Sequence, residues 1–570
     1  MDNLAALLLL EQTRLILLHG VDFAIIAIYF AFVLFIGFYV KGSANTSNEF
    51  FMAGREMTVW IAGLSFIASN MGSLELMGWA GSAYQYGMLA AHAYWIGAIP
   101  AMLVLGVVMM PFYYISKVRS VSEYLYARFG SRARAFSAIT FAFMTILMSG
   151  INMYAMAVVF KVVLGWNLHF SIWASSIVVA SYVALGGLRS AIYNEVLQFI
   201  LIWAGALSIP VLGMIEVGGW KQLVHRVQRN TNGSGYLHLW QTLGHSGSNP
   251  MGVSWVGVVF GWGFVLSFGY WTTDFLVIQR TLAARNLRAA RLAPILGAGF
   301  KFLIPLIVTL PGMLALSLLP FHLQPDDVAA ATNGYSYSEV LPLMLVRYCG
   351  PGLLGLGVTA LIAGFMSGMA GNVSAFSTVW TYDIYGAFLR RDASDQHYLQ
   401  MGRICTVAGV LISVGTAYLV QHATSIMEYV LQLFSFFIAP LFGTVILGML
   451  WKRATDAGGF WGLVSGTLCS IGLWIYSRLD PAALRYIAFS PHAKEMAENM
   501  YRSMWSWSVC VIVTVAVSYM TQPKSEEQLK GLVYGVTELP STAGELWYQK
   551  PIIWAAVIAA ALVAVNIAFW

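Results

Sequence analysis

The chain is 570 residues long, 59% hydrophobic and only 10% charged, where soluble domains carry about 25% charged residues. With a mean hydropathy of +0.72, this excludes a soluble globular protein and predicts an all-α polytopic membrane protein in a lipid bilayer. The net charge of +6 sits in loops between apolar spans and implies no nucleic-acid partner.

Residues 1–20 include Glu11 and Arg14 but no basic start followed by a cleavage site, and read as a short amphipathic lead-in. A bilayer-spanning helix needs about 20 apolar residues. Such spans are predicted near 21–40, 60–82, 84–112, 133–163, 168–188, 191–216, 251–281, 292–320, 352–388, 399–421, 426–450, 456–477, 505–522 and 552–570, about 14 transmembrane helices.

Lys and Arg set the orientation. One set of alternate loops holds Lys41 and Arg55, Lys117 to Arg134, Arg189, Arg280 to Arg291, Arg390 to Arg403, Lys452 and Arg453, and Lys524 to Lys550. These are 20 of the 31 basic residues. The other loops and the N-terminus hold ten, and Lys301 lies inside a span. The richer side is expected to be cytoplasmic. That makes the chain a multi-pass protein of the plasma (inner) membrane with both termini extracytoplasmic.

Two spans are interrupted by small and polar residues. The first reads Gly63-Leu-Ser-Phe-Ile-Ala-Ser-Asn-Met-Gly-Ser-Leu-Glu-Leu-Met-Gly78, with its break at Ser69–Ser73. The second runs from Phe260 to Phe275, with its break expected at Ser267–Tyr270. In lipid, unpaired backbone groups survive only where they line a cavity or face protein. Broken helices in corresponding positions point to the binding site of a secondary transporter. The expected organisation is a lead-in and peripheral helix at 1–59, a first half at 60–216, an outer loop at 217–250, a second half at 251–450 and peripheral helices at 451–570. Each half holds five spans and opens with a broken one, the pattern of a five-plus-five inverted repeat, though no residue-level repeat is visible.

Ionisable residues inside a membrane cost about 2.5–3.5 kcal/mol each on insertion scales, so Glu75, Asp274, Glu195 and Lys301 stand out. Glu75 has three readings: contact with a solute, an ion pair with Lys301, or proton uptake. Asp274 suits pairing with Arg280 or capping a turn, and Glu195 suits an interfacial carboxylate near Arg189. Small residues around Ser367, such as Gly364, Gly368 and Gly371, also suit close helix packing. The chain shows no nucleophile–base constellation, no metal-ligand spacing among its ten histidines and no phosphate-binding glycine loop. Neither an enzyme nor an ATP-driven pump is expected. Cys349, Cys405, Cys469 and Cys510 suggest no disulfide framework.

Four ordered motifs carry a resemblance. Gly165-x-x-Leu168 leads into an apolar run and then Tyr182-Val-Ala-Leu-Gly-Gly-Leu-Arg-Ser190. Gly448-Met-Leu-Trp-Lys-Arg453 is followed by Gly458-Gly-Phe-Trp-Gly462, and Ile278-Gln-Arg-Thr-Leu-Ala-Ala284 and Tyr382-Asp-Ile-Tyr385 complete the set. Together they resemble the solute:sodium symporter family, and in particular its bacterial sodium/glucose (galactose) cotransporter branch. The resemblance implies a sodium ion held by the carbonyls of Ala68, Met71 and Gly364 and the Ser367 hydroxyl. Relatives carry two adjacent hydroxyl residues there, whereas Ser367 is followed by Gly368. It also implies a solute site at Asn70, Glu75, Tyr94, Ser267, Tyr270, Lys301 and Gln432, with gates at Trp79 and Tyr270. Glu195 and Asp274 would lie along the ion path. Glu75 stands where sugar carriers have Gln, Tyr94 where they have Glu, and Leu431 takes the matching place beside Gln432.

The function expected is sodium-coupled uptake of a small polar solute, a sugar or polyol, by alternating access. The alternatives are a sodium-independent or proton-coupled carrier, a solute sensor, or a symporter for a non-sugar organic solute.

Overall fold

The computed structural model describes residues 18–41, 46–231, 233, 235–319, 323–332, 335–538 and 546–570. Within these, the side chains of residues 38, 40, 41, 178–186, 330–332 and 481 are not described. The lead-in with Glu11 and Arg14, the side chain of Lys41 and those of Tyr182 to Gly186 in the first motif therefore lie outside the description. Helices account for nearly all regular structure among the described residues, joined by two isolated bridges, Met57 with Ala284 and Gln324 with Ser336. A helix closes every backbone hydrogen bond within its own segment, as a chain this apolar requires in lipid.

Among the described residues, ten helices are long and apolar enough to cross a membrane, or up to twelve when each bent pair is one span. Twelve of the fourteen expected spans coincide with these helices or bent pairs, and two fall short of that test. Residues 168–188 run through undescribed side chains, and the helix after 251 stops at Thr273 before Asp274. Helix Leu353–Leu389 lies at the centre, with 89% of its most apolar window buried. That figure is 22% for Gly20–Gly37 and 11% for Pro551–Ala568, whose outward residues include Phe35, Ile552 and Val563. Contiguous exposed apolar faces of this size are rare on soluble proteins and belong against lipid.

The first break is present. Val59–Ala68 and Ser73–Tyr86 meet at a bend of 55° across Ser69 to Gly72. The second is displaced. Ser267–Tyr270 is not unwound: a π-helix, Gly257–Ser267, passes directly into α-helix Phe268–Thr273. The interruption falls at Asp274, whose extended backbone (φ −73°, ψ 118°) starts a separate helix, Phe275–Leu282. The polar run Thr272-Thr-Asp274 ends the helix because the Asp274 carboxylate accepts from Leu276 N at 2.8 Å as an N-cap.

A further bend of 45° lies between Leu287–Lys301 and Ile304–Leu318. Its sequence signal is Pro305, which has no N–H for the carbonyl of Lys301. The expected spans 168–188 and 191–216 meet at an elbow, not a loop. Helix Leu168–Ala206 turns at Gly187, whose φ of +56° suits glycine.

The remaining motifs tie helices together. Gln279 donates to Phe51 O at 2.9 Å and Thr378 Oγ1 at 3.0 Å, while Asp383 accepts from Arg134 at 2.8 Å. Buried Arg128 donates to the carbonyls of Gly448 (2.8 Å) and Trp451 (3.0 Å), closing the C-terminal end of Ala439–Leu450 where a cation is favoured. All four cysteines are free.

The described part of the loop between Leu319 and Gly352 includes helices Asp326–Thr332 and Val340–Tyr348. Burial raises the Asp326 carboxyl to about 7, against hydrogen bonds from the Ser338 hydroxyl and amide that lower it. A folded carboxyl raised above its unfolded value of 3.8 holds its proton better in the folded state. The loop is therefore expected to lose stability as pH rises from about 4 to 7. Hydrogen exchange at Ser338, corrected for intrinsic rates, should show weaker protection at neutral pH than in acid, and Asp326→Asn should flatten that dependence.

Candidate solute and ion site

The unwound stretch Ser69 to Gly72 and the bend after Lys301 open on one cavity. It has room of about 80 Å³ for water-sized groups. Asn70, Glu75, Trp79, Tyr94, Ser267, Tyr270, Asp274 and Lys301 all line it. Local structure explains their placement. Glu75 lies in the first turn of Ser73–Tyr86, where the helix dipole favours an anion, and Lys301 ends Leu287–Lys301, where it favours a cation.

The polar side chains form one network. Lys301 Nζ donates to Glu75 Oε1 and Asn70 Oδ1, each at 2.5 Å, and Asn70 Nδ2 donates to Tyr270 Oη at 2.9 Å. The Lys301 ammonium also lies 5.1 Å from the ring centres of Tyr94 and Trp271, within cation–π range. Of the three readings of Glu75, the ion pair is the one seen, and it lies in the cavity wall. Two aromatic layers bound the site. Trp79, one turn beyond Glu75, stacks on Trp262 at 5.4 Å and meets Tyr94 edge-on at 6.0 Å. Tyr270 stacks on Phe434 at 4.9 Å.

Gln432 is the exception among the expected solute contacts. Leu431 lines the cavity in its place, since consecutive helical residues point about 100° apart. Glu195 is also elsewhere. It is fully buried and held by Arg280, with Nη2 to Oε1 at 2.5 Å and Nε to Oε2 at 3.3 Å, and Ser65 donates to the same carboxylate. Its expected neighbour Arg189 pairs instead with Glu56 at 3.1 Å. Because Glu195 takes Arg280, Asp274 acts as a cap and not as that arginine's partner. His92 bonds the Leu239 carbonyl at 2.8 Å and does not line the cavity.

Beside the cavity, oxygens gather where the first broken helix crosses Leu353–Thr378. Ser367 Oγ donates to the Ala68 carbonyl at 2.8 Å, and a Cβ on Gly364 would stand 3.0 Å from the Met71 carbonyl. The carbonyls of Ala68 and Met71 belong to a helix C-terminus and the unwound residues after it, where partial negative charge favours a cation. Neutral oxygens without a carboxylate suit a hard monovalent ion. The residues present therefore fit sodium. Trp262, Trp271, Phe434, Asn152 and Asn372 also line the cavity and were not singled out from the sequence. Only Trp271, beside Tyr270, carried a local signal.

Residues 50–466 match the model of the sodium:solute symporter family. The chain is 30% identical to the mouse "Sodium/glucose cotransporter 4" over 542 residues, 91% of this chain and 78% of that one. It is likewise 30% identical to the human "Sodium/myo-inositol cotransporter 2", covering 90% of this chain and 78% of that one. These relatives are cotransporters, not enzymes. The fold is shared with a substrate-bound, outward-open Na+-coupled sialic acid symporter (TM-score 0.72, 19% identity), which covers 89% of this chain and 99% of that one. By the family match across most of its length, this chain belongs to the sodium:solute symporter family.

Proposed function

We propose that this protein uses the sodium gradient to take up a sugar or polyol across the plasma (inner) membrane, with residues 60–216 and 251–450 as repeat halves and both termini outside. The observation that carries this is the Asn70–Glu75–Lys301–Tyr270 network in a cavity that adjoins the oxygens of Ala68, Met71, Gly364 and Ser367. Glu75 offsets the Lys301 charge, so the cavity presents donors and acceptors without a free cation, which suits hydroxyls better than an organic anion. The aromatic rings that line the cavity suit the apolar C–H face of a sugar ring. The glucose and myo-inositol named for the relatives agree with that chemistry.

Sodium here would join the first broken helix to Leu353–Thr378. It would thereby favour the state in which the two helices are close, and a ligand shifts such a balance only by its differential affinity. In proteoliposomes, an inward sodium gradient should drive accumulation of glucose, galactose or myo-inositol. Ser367→Ala should raise the half-saturating sodium concentration about tenfold, roughly 1.4 kcal/mol, for loss of one oxygen ligand. Accumulation indifferent to sodium would overturn the coupling. Sodium-driven uptake of a carboxylate but of none of these polyols would overturn the cargo.

A further inference from the structure

Asn152, which lines the cavity, lies on the long helix Val121–Leu164, which carries none of the ion or solute ligands expected from the sequence. Its side chain is 1% exposed, and its Oδ1 has no hydrogen-bond partner. The amide orientation is fixed by its other end, because Nδ2 donates to Met148 O at 3.2 Å. Oδ1 therefore points away from its own helix, towards two glycines on two other helices. A Cβ built on Gly72 would stand 2.7 Å from this oxygen, and one built on Gly368 would stand 2.9 Å from it.

Those two glycines have particular neighbours. Gly72 follows Met71 and Gly368 follows Ser367, and both preceding residues belong to the oxygen set that fits sodium. Gly368 is also where a second hydroxyl would complete that set. The gap left by its missing side chain is occupied by the Asn152 amide oxygen. An acceptor this buried is ordinarily paired, and here a hard neutral oxygen is aimed at the seam where a cation would be held.

We infer that Asn152 supplies the oxygen that Gly368 lacks, so the sodium site draws on three helices and is complete in a form not visible in the local sequence. This rests on the sodium reading proposed above. It also reverses a simple expectation for Gly368→Ser. The new Cβ would meet Asn152 Oδ1 and, at 3.2 Å, Gly72 Cα, so the added hydroxyl crowds the site instead of tightening it.

The test is direct binding of radioactive sodium to the purified full-length protein, without solute, alongside sodium-dependent thermal stabilisation. Asn152→Ala should weaken sodium binding about tenfold, the scale on which groups around a bound metal ion act. Gly368→Ser alone should not tighten binding. The double variant Asn152→Ala/Gly368→Ser should recover most of the loss, since the space is vacated and a hydroxyl returns. Should Asn152→Ala fail to fold, Asn152→Asp, which keeps the oxygen, compared with the isosteric Asn152→Leu reads the same quantity.

Sodium binding unchanged in Asn152→Ala, with solute affinity reduced, would overturn the inference and make Asn152 a solute contact. Ser367→Ala separates the two levels. If it weakens sodium binding while Asn152→Ala does not, only this inference fails. If neither does, the sodium site itself has been misplaced.

Discussion

Lys301→Ala is expected to abolish solute binding and to destabilise the protein by about 3–5 kcal/mol, the scale for removing one partner of a buried ion pair. The Lys301 ammonium is fully buried and contacts Glu75, Asn70 and the faces of Tyr94 and Trp271. Its loss leaves the Glu75 carboxylate, whose side chain is 8% exposed, without a counter-charge. Asn70 loses its donor as well, and the Asn70–Tyr270 bond loses the partner that orients it. The paired change Lys301→Met/Glu75→Leu removes both charges and should recover much of the stability without recovering solute binding. Thermal unfolding in detergent and equilibrium binding of a labelled sugar separate the two effects. A single variant that unfolds like wild type would show that Glu75 finds another partner or that water reaches it.

Arg280→Ala is expected to be comparably severe, about 3–5 kcal/mol, with no direct effect on solute contacts. Arg280 and Glu195 are both inaccessible to solvent and meet through two guanidinium contacts, and Ser65 adds a third contact to the carboxylate. Arg280→Lys keeps the charge but cannot reproduce the forked contact, so it should fall between wild type and Arg280→Ala. Glu195→Leu/Arg280→Met should be milder than either single loss. The pair joins Leu168–Ala206 to Phe275–Leu282, with Ser65 of Val59–Ala68 attached. Its rupture should therefore appear as lowered thermal stability rather than as a weaker solute affinity in the folded fraction. Equal losses in the single and double variants would show that the two side chains act independently.

Much of the site was legible residue by residue. Small and polar residues inside an apolar span marked the first break, because lipid tolerates an open backbone only beside a cavity. The types of Asn70, Glu75, Tyr94, Tyr270 and Lys301 suited hydroxyl recognition, and all of them line the cavity. Other positions were misread for reasons that can be stated. Ser267–Tyr270 contains residues that resemble a break, yet π-helix Gly257–Ser267 runs directly into α-helix Phe268–Thr273, and the side-chain cap at Asp274 ends it instead. Gln432 is one position, about 100° of helix, from the residue that faces inward. The bend after Lys301 was not read from the sequence, although Pro305 lacks the N–H that would continue the helix there.

What the sequence by itself determined was the medium, the helical class and the first broken helix, while the residues suited to an ion and a polyol were implied by the family resemblance of its motifs. All of these follow from local hydropathy, backbone chemistry and motif order. Only the tertiary structure decided which charges meet. Asp274 is six positions from Arg280, yet Arg280 binds Glu195, 85 residues away, and Lys301 binds Glu75, 226 residues away. Asn152 likewise reaches Gly72 and Gly368 only because three helices cross at one point. An ion pair or an orphan oxygen depends on distances of a few ångströms, and those are fixed by how helices pack, not by their order along the chain.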